Sequence, residues 1–165
     1  MAGWKGHLAG GVAVCGAYIL TAQALPGDFT QNSSVLLSNW QFVAGLFVIS
    51  MLMSLFPDID TNSKGQDIFF TVAFSANILL ILSGKFEVAA YLGLLAMTPI
   101  IGKHRGWTHS RIAMFLVPLP ILIIPYLARS ETLPVALMVY GSAVSGYFSH
   151  LLLDGLITKK IRFKT

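Results

Sequence analysis

Charged residues are scarce in this chain of 165 residues. Lysine, arginine, aspartate and glutamate together make up 11% of it, whereas a soluble domain usually carries about 25%. The hydrophobic share is 55%, and the mean hydropathy is +0.73. This composition excludes an ordinary soluble domain and predicts that part of the apolar surface faces lipid.

Cysteine is also nearly absent. The single cysteine, Cys15, lies within an apolar run, so a disulfide-stabilised secreted fold is excluded. No cleavable signal peptide is predicted, because no small-residue cleavage site follows the first apolar run. We therefore expect that run to be a membrane span.

Long apolar runs are what the chain has in abundance. A helix needs about 20 apolar residues to cross the hydrocarbon core of a bilayer. Six runs are separated by polar turns, and they cover residues 8–25, 36–56, 68–83, 88–102, 112–128 and 133–153. The fifth run contains three prolines, which predict a kink. The fold class predicted is all-α, a polytopic transmembrane helical bundle of about six spans that forms one membrane-embedded domain over residues 1–165.

The third and fourth runs are short. As helices, 68–83 and 88–102 would each be roughly 22–24 Å long, less than the hydrocarbon thickness of about 30 Å. They form either two short spans or one re-entrant hairpin. In both cases the chain returns to the side of the membrane that it left.

Basic residues define the predicted orientation. With six spans, nine of the eleven lysines and arginines share one side of the membrane. They are Lys5, Lys64, Lys103, Arg105, Arg111, Lys159, Lys160, Arg162 and Lys164, and the other side holds only Lys85 and Arg129. The positive-inside rule then places both termini in the cytoplasm. Because this topology explains the positive charges, no nucleic acid is expected as a partner; the bilayer is.

Histidines and aspartates gather on that same side. His150 and Asp154 are four residues apart at the end of the last run, so on a helix they share one face. An imidazole and a carboxylate that converge in this way are good ligands for zinc or a similar divalent ion. The alternative is a helix-end histidine beside a capping or solvated aspartate.

Two further clusters follow the second and fourth runs. Pro57 predicts a helix end and leaves Asp58 and Asp60 on a turning segment, where they either share a cation or bond to their own backbone. Residues 103–111 carry His104 and His109. Because a separation of five turns two helical side chains about 140° apart, we expect His104 to lie in the loop and His109 to enter the next helix, with Thr108 or Ser110 near its cap. The alternative for this segment is a basic loop that binds anionic lipid headgroups.

The three clusters together favour a metal. Three aspartates brought to one partly desolvated surface repel one another, and a divalent cation removes that repulsion. His7 enters the first run at the same depth. The predicted ligands are His7, Asp58, Asp60, His104, His109, His150 and Asp154.

These elements resemble, in order along the chain, the YdjM-like family, bacterial inner-membrane proteins described as LexA-regulated and as predicted metal-dependent hydrolases. The elements that match are His7 before a glycine-rich run, Pro57-Asp58-Ile59-Asp60, the segment from His104 to Ser110, and His150-Leu-Leu-Leu-Asp154. The resemblance implies a membrane-bound hydrolase with these histidines and aspartates as metal ligands. The His-x-x-x-Asp pair is more distantly similar to the zinc-dependent phospholipase C and P1 nuclease group. Trp4 is not terminal, so the tryptophan ligand of phospholipase C has no counterpart here.

The function predicted is a metal-dependent hydrolase that acts on a phosphoester or lipid-related ester, such as a phospholipid, at the cytoplasmic face. One or two divalent ions, with Zn²⁺ expected, would activate the attacking water. The predicted catalytic residues are Asp58 and Asp60, as ligands or general base, and Arg105, as a stabiliser of a phosphoryl oxygen. Two other functions stay open: an ion-handling transporter, and a membrane scaffold with a structural metal.

Overall fold

The computed structural model describes residues 3–24, 34–59, 64–101, 107–128 and 132–155. Within these ranges every regular element is helical and no strand occurs, which confirms the all-α fold class. The main helices are α1 (Trp4–Ala24), α2 (Trp40–Leu55), α3 (Lys64–Leu82), α4 (Phe86–Ile101), α5 (Arg111–Leu116), α6 (Leu119–Ala128) and α7 (Leu133–Leu153).

Two helices begin earlier than the apolar pattern predicts. α3 begins at Lys64 rather than at residue 68, and α1 begins at Trp4 rather than at residue 8. Polar side chains in a first helical turn remain at the water interface, and an acidic one there, such as Asp67, is stabilised by the helix dipole. The expectation that the third span is short was therefore wrong, because α3 contains 19 residues.

α2 begins later than predicted. The Asn39 side chain accepts hydrogen bonds from the backbone N–H groups of Gln41 (2.9 Å) and Phe42 (3.4 Å), so Asn39 caps the helix at its N-terminus. A separate helical segment at 34–38 precedes this cap. The predicted run 36–56 therefore joined two elements that the asparagine separates.

Four described helices are long and apolar enough to cross a membrane: Trp4–Ala24, Trp40–Asp58, Lys64–Leu82 and Leu133–Leu153. The last of these has the predicted bounds. α4, with 16 residues, extends about 24 Å. The segment Arg111–Leu127 is a shorter apolar helix, interrupted between α5 and α6 at Val117 and Pro118. The count of six spans stays a prediction.

α1, α2 and α7 form the centre of the bundle. The Ser50 hydroxyl donates to the carbonyl of Gly11 (2.9 Å), and the Ser142 hydroxyl donates to the carbonyl of Leu46 (2.6 Å). Small residues let the helix backbones approach closely, as is typical of membrane bundles. The approach is closest at Gly146, where an added Cβ would overlap the Ser50 carbonyl group.

The order of these contacts brings particular helix ends together. α2 and α7 run parallel, because Leu46 lies beside Ser142 and Ser50 beside Gly146. α1 runs antiparallel to α2, since its early residue Gly11 meets Ser50 in the C-terminal half of α2. The beginning of α1 and the ends of α2 and α7 therefore lie at one end of the bundle.

We expect Gly146→Ala to lower the free energy of unfolding by about 1–3 kcal/mol, because the new methyl group must push two backbones apart. The measurement is the melting temperature of detergent-purified protein. Gly16→Ala on α1 is the matched control, since a Cβ there meets no atom within 4 Å. Equal melting temperatures for the two variants would contradict the close approach of α2 and α7.

Candidate metal centre

The end of α7 contributes His150 and Asp154. His150 occupies the last turn, and Asp154 follows the helix, where its backbone N–H donates to the His150 carbonyl (3.0 Å). The side chains face each other, with His150 Nε2 at 3.5 Å from Asp154 Oδ2. Both are almost fully buried, with side-chain exposures of 0% and 2%.

A backbone carbonyl orients the His150 ring. His150 Nδ1 lies 2.7 Å from the carbonyl oxygen of Ser54, near the end of α2. A carbonyl oxygen only accepts hydrogen bonds, so Nδ1 carries the proton and donates it. This leaves Nε2 directed at the two aspartates, in the tautomer that binds a metal through Nε2.

His7 comes from the first turn of α1. Its side chain is 1% exposed, and its ring stacks on that of His150 with centroids 3.9 Å apart and an interplanar angle of 16°. His7 Nε2 lies 3.6 Å from Asp154 Oδ1 and 3.9 Å from Asp58 Oδ2.

Asp58 comes from the turn that ends α2. The 3₁₀ turn Phe56–Asp58 directly follows Leu55, the last residue of α2, and contains Pro57. The helix therefore stops where the proline predicts, and the chain turns toward the interior of the bundle. Asp58 Oδ1 lies 3.4 Å from His109 Nε2 and 3.6 Å from His150 Nε2. Its side chain is 26% exposed, which makes it the carboxylate on the solvent side of the cluster.

His109 precedes α5 rather than entering it. Ser110 caps α5, because its hydroxyl oxygen accepts a hydrogen bond from the Ala113 N–H (3.0 Å). Tyr147, one turn before His150 on α7, donates its hydroxyl hydrogen to the Thr108 carbonyl. These two contacts hold the turn on either side of His109. Tyr147 was missed by sequence reasoning, although its position three residues before His150 places it on the same helix face.

The cluster leaves buried polar atoms without hydrogen bonds to any described residue. They are His7 Nδ1, His7 Nε2, His109 Nε2, His150 Nε2, Asp154 Oδ1 and Asp154 Oδ2. An unsatisfied buried polar atom costs about 1–3 kcal/mol, and a cation at the centre of the cluster would satisfy most of them at once.

The spacing of these atoms fits a small divalent ion. Four of the residues, Asp58, His109, His150 and Asp154, offer ligand atoms that all lie within 4.8 Å of one another. The contacts between imidazole and carboxylate span 3.4–3.9 Å. A tetrahedral Zn²⁺ site with bonds of 2.0–2.1 Å places its ligand atoms about 3.4 Å apart. The donor set of nitrogen and oxygen atoms also suits zinc.

Three predicted site residues lie outside the described residues. They are Asp60, His104 and Arg105, and their roles stay predictions. Of the predicted ligands, His7, Asp58, His109, His150 and Asp154 meet at one end of the bundle.

Tyr147→Phe is expected to weaken metal binding by about tenfold, the lower end of the effect of losing a direct partner of a ligand, because Tyr147 bonds the residue before His109 and not His109 itself. Without the phenol hydroxyl, the Thr108 carbonyl loses its contact with α7, and the neighbouring His109 is less well held. Affinity is measured by competition with a zinc-binding dye. Tyr140→Phe is the matched control, because Tyr140 on α7 also donates to a backbone carbonyl, that of Phe115 (3.2 Å). Equal affinities in both variants would argue against this role of Tyr147.

One protein family accounts for nearly the whole chain. The family described as YdjM inner membrane protein matches residues 1–163. No curated protein and no solved structure gives a significant match to the chain. The matched range includes all five clustered residues and the four helices that are long and apolar enough to cross a membrane. The chain therefore belongs to the YdjM inner membrane protein family.

Proposed function

We propose that the protein is a membrane-bound, metal-dependent hydrolase that cleaves a phosphoester or lipid-related ester at the cytoplasmic face. The observation that carries this proposal is the convergence of three imidazoles and two carboxylates at one end of the bundle, with their ligand atoms directed at each other. His7, His109, His150, Asp58 and Asp154 would hold the ion, and Asp60 and His104 are further candidates from the sequence. A bound Zn²⁺ would supply a Lewis acid and lower the pKa of a coordinated water to about 7.

The two carboxylates have different environments. Asp154 is enclosed between His7 and His150, whereas the Asp58 side chain reaches solvent. If one of the two carboxylates accepts a proton from the attacking water instead of holding the ion, Asp58 is therefore the better placed of the two. In hydrolysis, the water oxygen bonds to phosphorus, the phosphorus–oxygen bond to the leaving alcohol breaks, and the alkoxide takes up a proton. We assign Arg105 to the developing charge on the phosphoryl oxygens.

Metal analysis of the detergent-purified protein tests this proposal, followed by a screen with phosphodiesters and phospholipids. We expect one or two zinc ions per chain, and hydrolysis that falls by more than about 100-fold in Asp58→Ala. Asp67→Ala is the control, because Asp67 is an exposed aspartate in the first turn of α3. A protein that binds no divalent ion would rule out the proposal.

A scaffold with a structural metal is the second candidate, favoured by the nearly complete burial of His7, His150 and Asp154. Structural sites are closed, whereas catalytic sites keep an open position. If chelation lowers stability while no ester is hydrolysed, the scaffold is the better description.

The transporter alternative loses part of its support. The sequence features that favour a transporter are Asn77, a polar residue within α3, and the three prolines of the fifth run. The Asn77 side chain donates its N–H to the Ala89 carbonyl of α4 (2.9 Å). This contact gives Asn77 a role in joining two helices.

The proposed orientation is tested by labelling cysteines at the two ends of the bundle. We expect a membrane-impermeant maleimide to label Lys85→Cys, but not Lys5→Cys, in intact spheroplasts, and the reverse in inverted vesicles. Both lysines are exposed. The native protein is the blank, because Cys15 is buried. Labelling of Lys5→Cys from outside would reverse the orientation.

A further inference from the structure

An apolar cavity of about 380 Å³ lies between α2, α3, α4 and α6. Its size falls within the range of about 300–1,000 Å³ that is usual for ligand pockets. Of the described residues that line it, only Tyr91 carries an oxygen or nitrogen atom in its side chain, and that hydroxyl is directed to Glu87 (3.4 Å). The cavity therefore offers almost nothing to a polar ligand.

The cavity opens sideways. Val72, Val88 and Tyr91 line it and are nevertheless 37%, 53% and 41% exposed. They lie on α3 and α4, and α3 is one of the helices long and apolar enough to cross a membrane. In an inner membrane protein, an apolar opening at this depth faces the acyl chains of the surrounding lipids.

The inner wall of the cavity packs against the turn that carries Asp58. Met53 and Phe69 line the cavity, and the Phe69 ring packs edge-on against Phe56, with centroids 5.7 Å apart. Phe56 begins the 3₁₀ turn that carries Asp58. Met53 precedes Asp58 by five residues, roughly 7–8 Å along a helix. This separation is shorter than one phospholipid molecule, whose acyl chain alone spans half of the hydrocarbon core, about 15 Å.

We propose that this cavity binds one acyl chain of a phospholipid substrate while its phosphoester lies at the metal centre. The inference rests on the proposed function and specifies its substrate class. The cavity would then set the substrate preference through the length of the acyl chain. Phospholipids with long acyl chains are good substrates, and soluble phosphodiesters without an acyl chain are poor ones.

Filling the cavity tests this inference. Ala76→Phe places a ring in it from α3, and Ala44→Phe, at an exposed position of α2, is the matched control. We expect Ala76→Phe to lower kcat/KM for a long-chain phospholipid by at least about tenfold, with little change for bis(p-nitrophenyl) phosphate. Should Ala76→Phe fail to fold, Val72→Trp at the opening replaces it, with Val48→Trp on the exposed side of α2 as its control.

A second readout does not depend on turnover. The protein is placed in bilayers of phosphatidylethanolamine and phosphatidylglycerol, with a phospholipid that carries a diazirine in its acyl chain. After irradiation, crosslinks are expected at the residues that line the cavity, and they should decrease severalfold in Ala76→Phe but not in Ala44→Phe. Zinc content should be the same in both variants.

The outcomes separate the two proposals. If zinc and hydrolysis are intact but crosslinks and chain preference do not change in Ala76→Phe, the cavity is not the chain site and only the hydrolase stands. If crosslinks map to the cavity but no phosphodiester is hydrolysed, the proposed function fails, and the assignment of a substrate fails with it.

Discussion

Replacing His150 by alanine is expected to lower the Zn²⁺ affinity of the purified protein by more than about 100-fold, since loss of an outer partner alone costs about 10–100-fold. His150 Nε2 lies between the two carboxylates, 3.6 Å from Asp58 and 3.5 Å from Asp154. Its ring also supports that of His7 by stacking. The substitution thus removes one ligand and the surface against which a second is held. Affinity is measured by competition with a zinc-binding dye in detergent.

The controls for this variant separate ligation from folding. Ser149→Ala, at the preceding position of α7, removes a buried hydroxyl that donates to the Gly146 carbonyl of the same helix (2.7 Å). We expect the Zn²⁺ affinity of this variant to stay near that of the wild type. His150→Gln retains more of the side-chain volume and should lose affinity as alanine does. If either His150 variant binds Zn²⁺ as tightly as Ser149→Ala while still melting cooperatively, His150 is not a ligand.

The sequence predicts those parts of the site that depend on one element. α7 has the bounds of its apolar run, Leu133–Leu153, and the four-residue spacing of His150 and Asp154 places their side chains together without knowledge of the rest of the fold. Pro57 likewise marks where α2 ends. Such features follow from helix geometry and backbone sterics, which act over a few residues.

Features that depend on contacts between helices cannot be predicted from the spacing of residues along the sequence. The stacking of His7 on His150 requires α1 to approach α7 closely. The partner that orients His150 is the backbone carbonyl of Ser54, and every residue has a carbonyl, so no residue type indicates it. The early start of α3 could not be predicted for another reason. Its first turn is polar because it lies at the interface between membrane and water, and a polar segment is predicted as a loop when hydropathy alone is used.

Removing the metal is expected to destabilise the protein, and Asp154→Asn is expected to reduce this effect. Ligand atoms of Asp58 and Asp154 lie within 4.8 Å of each other. Two negative charges at that distance repel by about 3–4 kcal/mol at an effective dielectric constant of 20. A divalent cation removes this repulsion, and that relief is part of the free energy of metal binding. Binding only to the folded state then stabilises the protein by about 2.7 kcal/mol in total at a metal concentration 100 times Kd. We therefore expect EDTA to lower the melting temperature by about 5–10 °C.

Asp154→Asn tests whether repulsion between the two carboxylates is what destabilises the metal-free protein. Asp154→Asn removes one of the two charges with little change in volume, so the metal-free variant should melt above the metal-free wild type. The same change removes a ligand, so the zinc-loaded variant should melt below the zinc-loaded wild type. Asp67→Asn, at an exposed aspartate of α3, should leave both differences as they are. A metal-free Asp154→Asn protein that melts below the metal-free wild type would contradict this prediction. It would mean that the contacts of Asp154 with His7 and His150 stabilise the metal-free fold by more than its repulsion with Asp58 destabilises it.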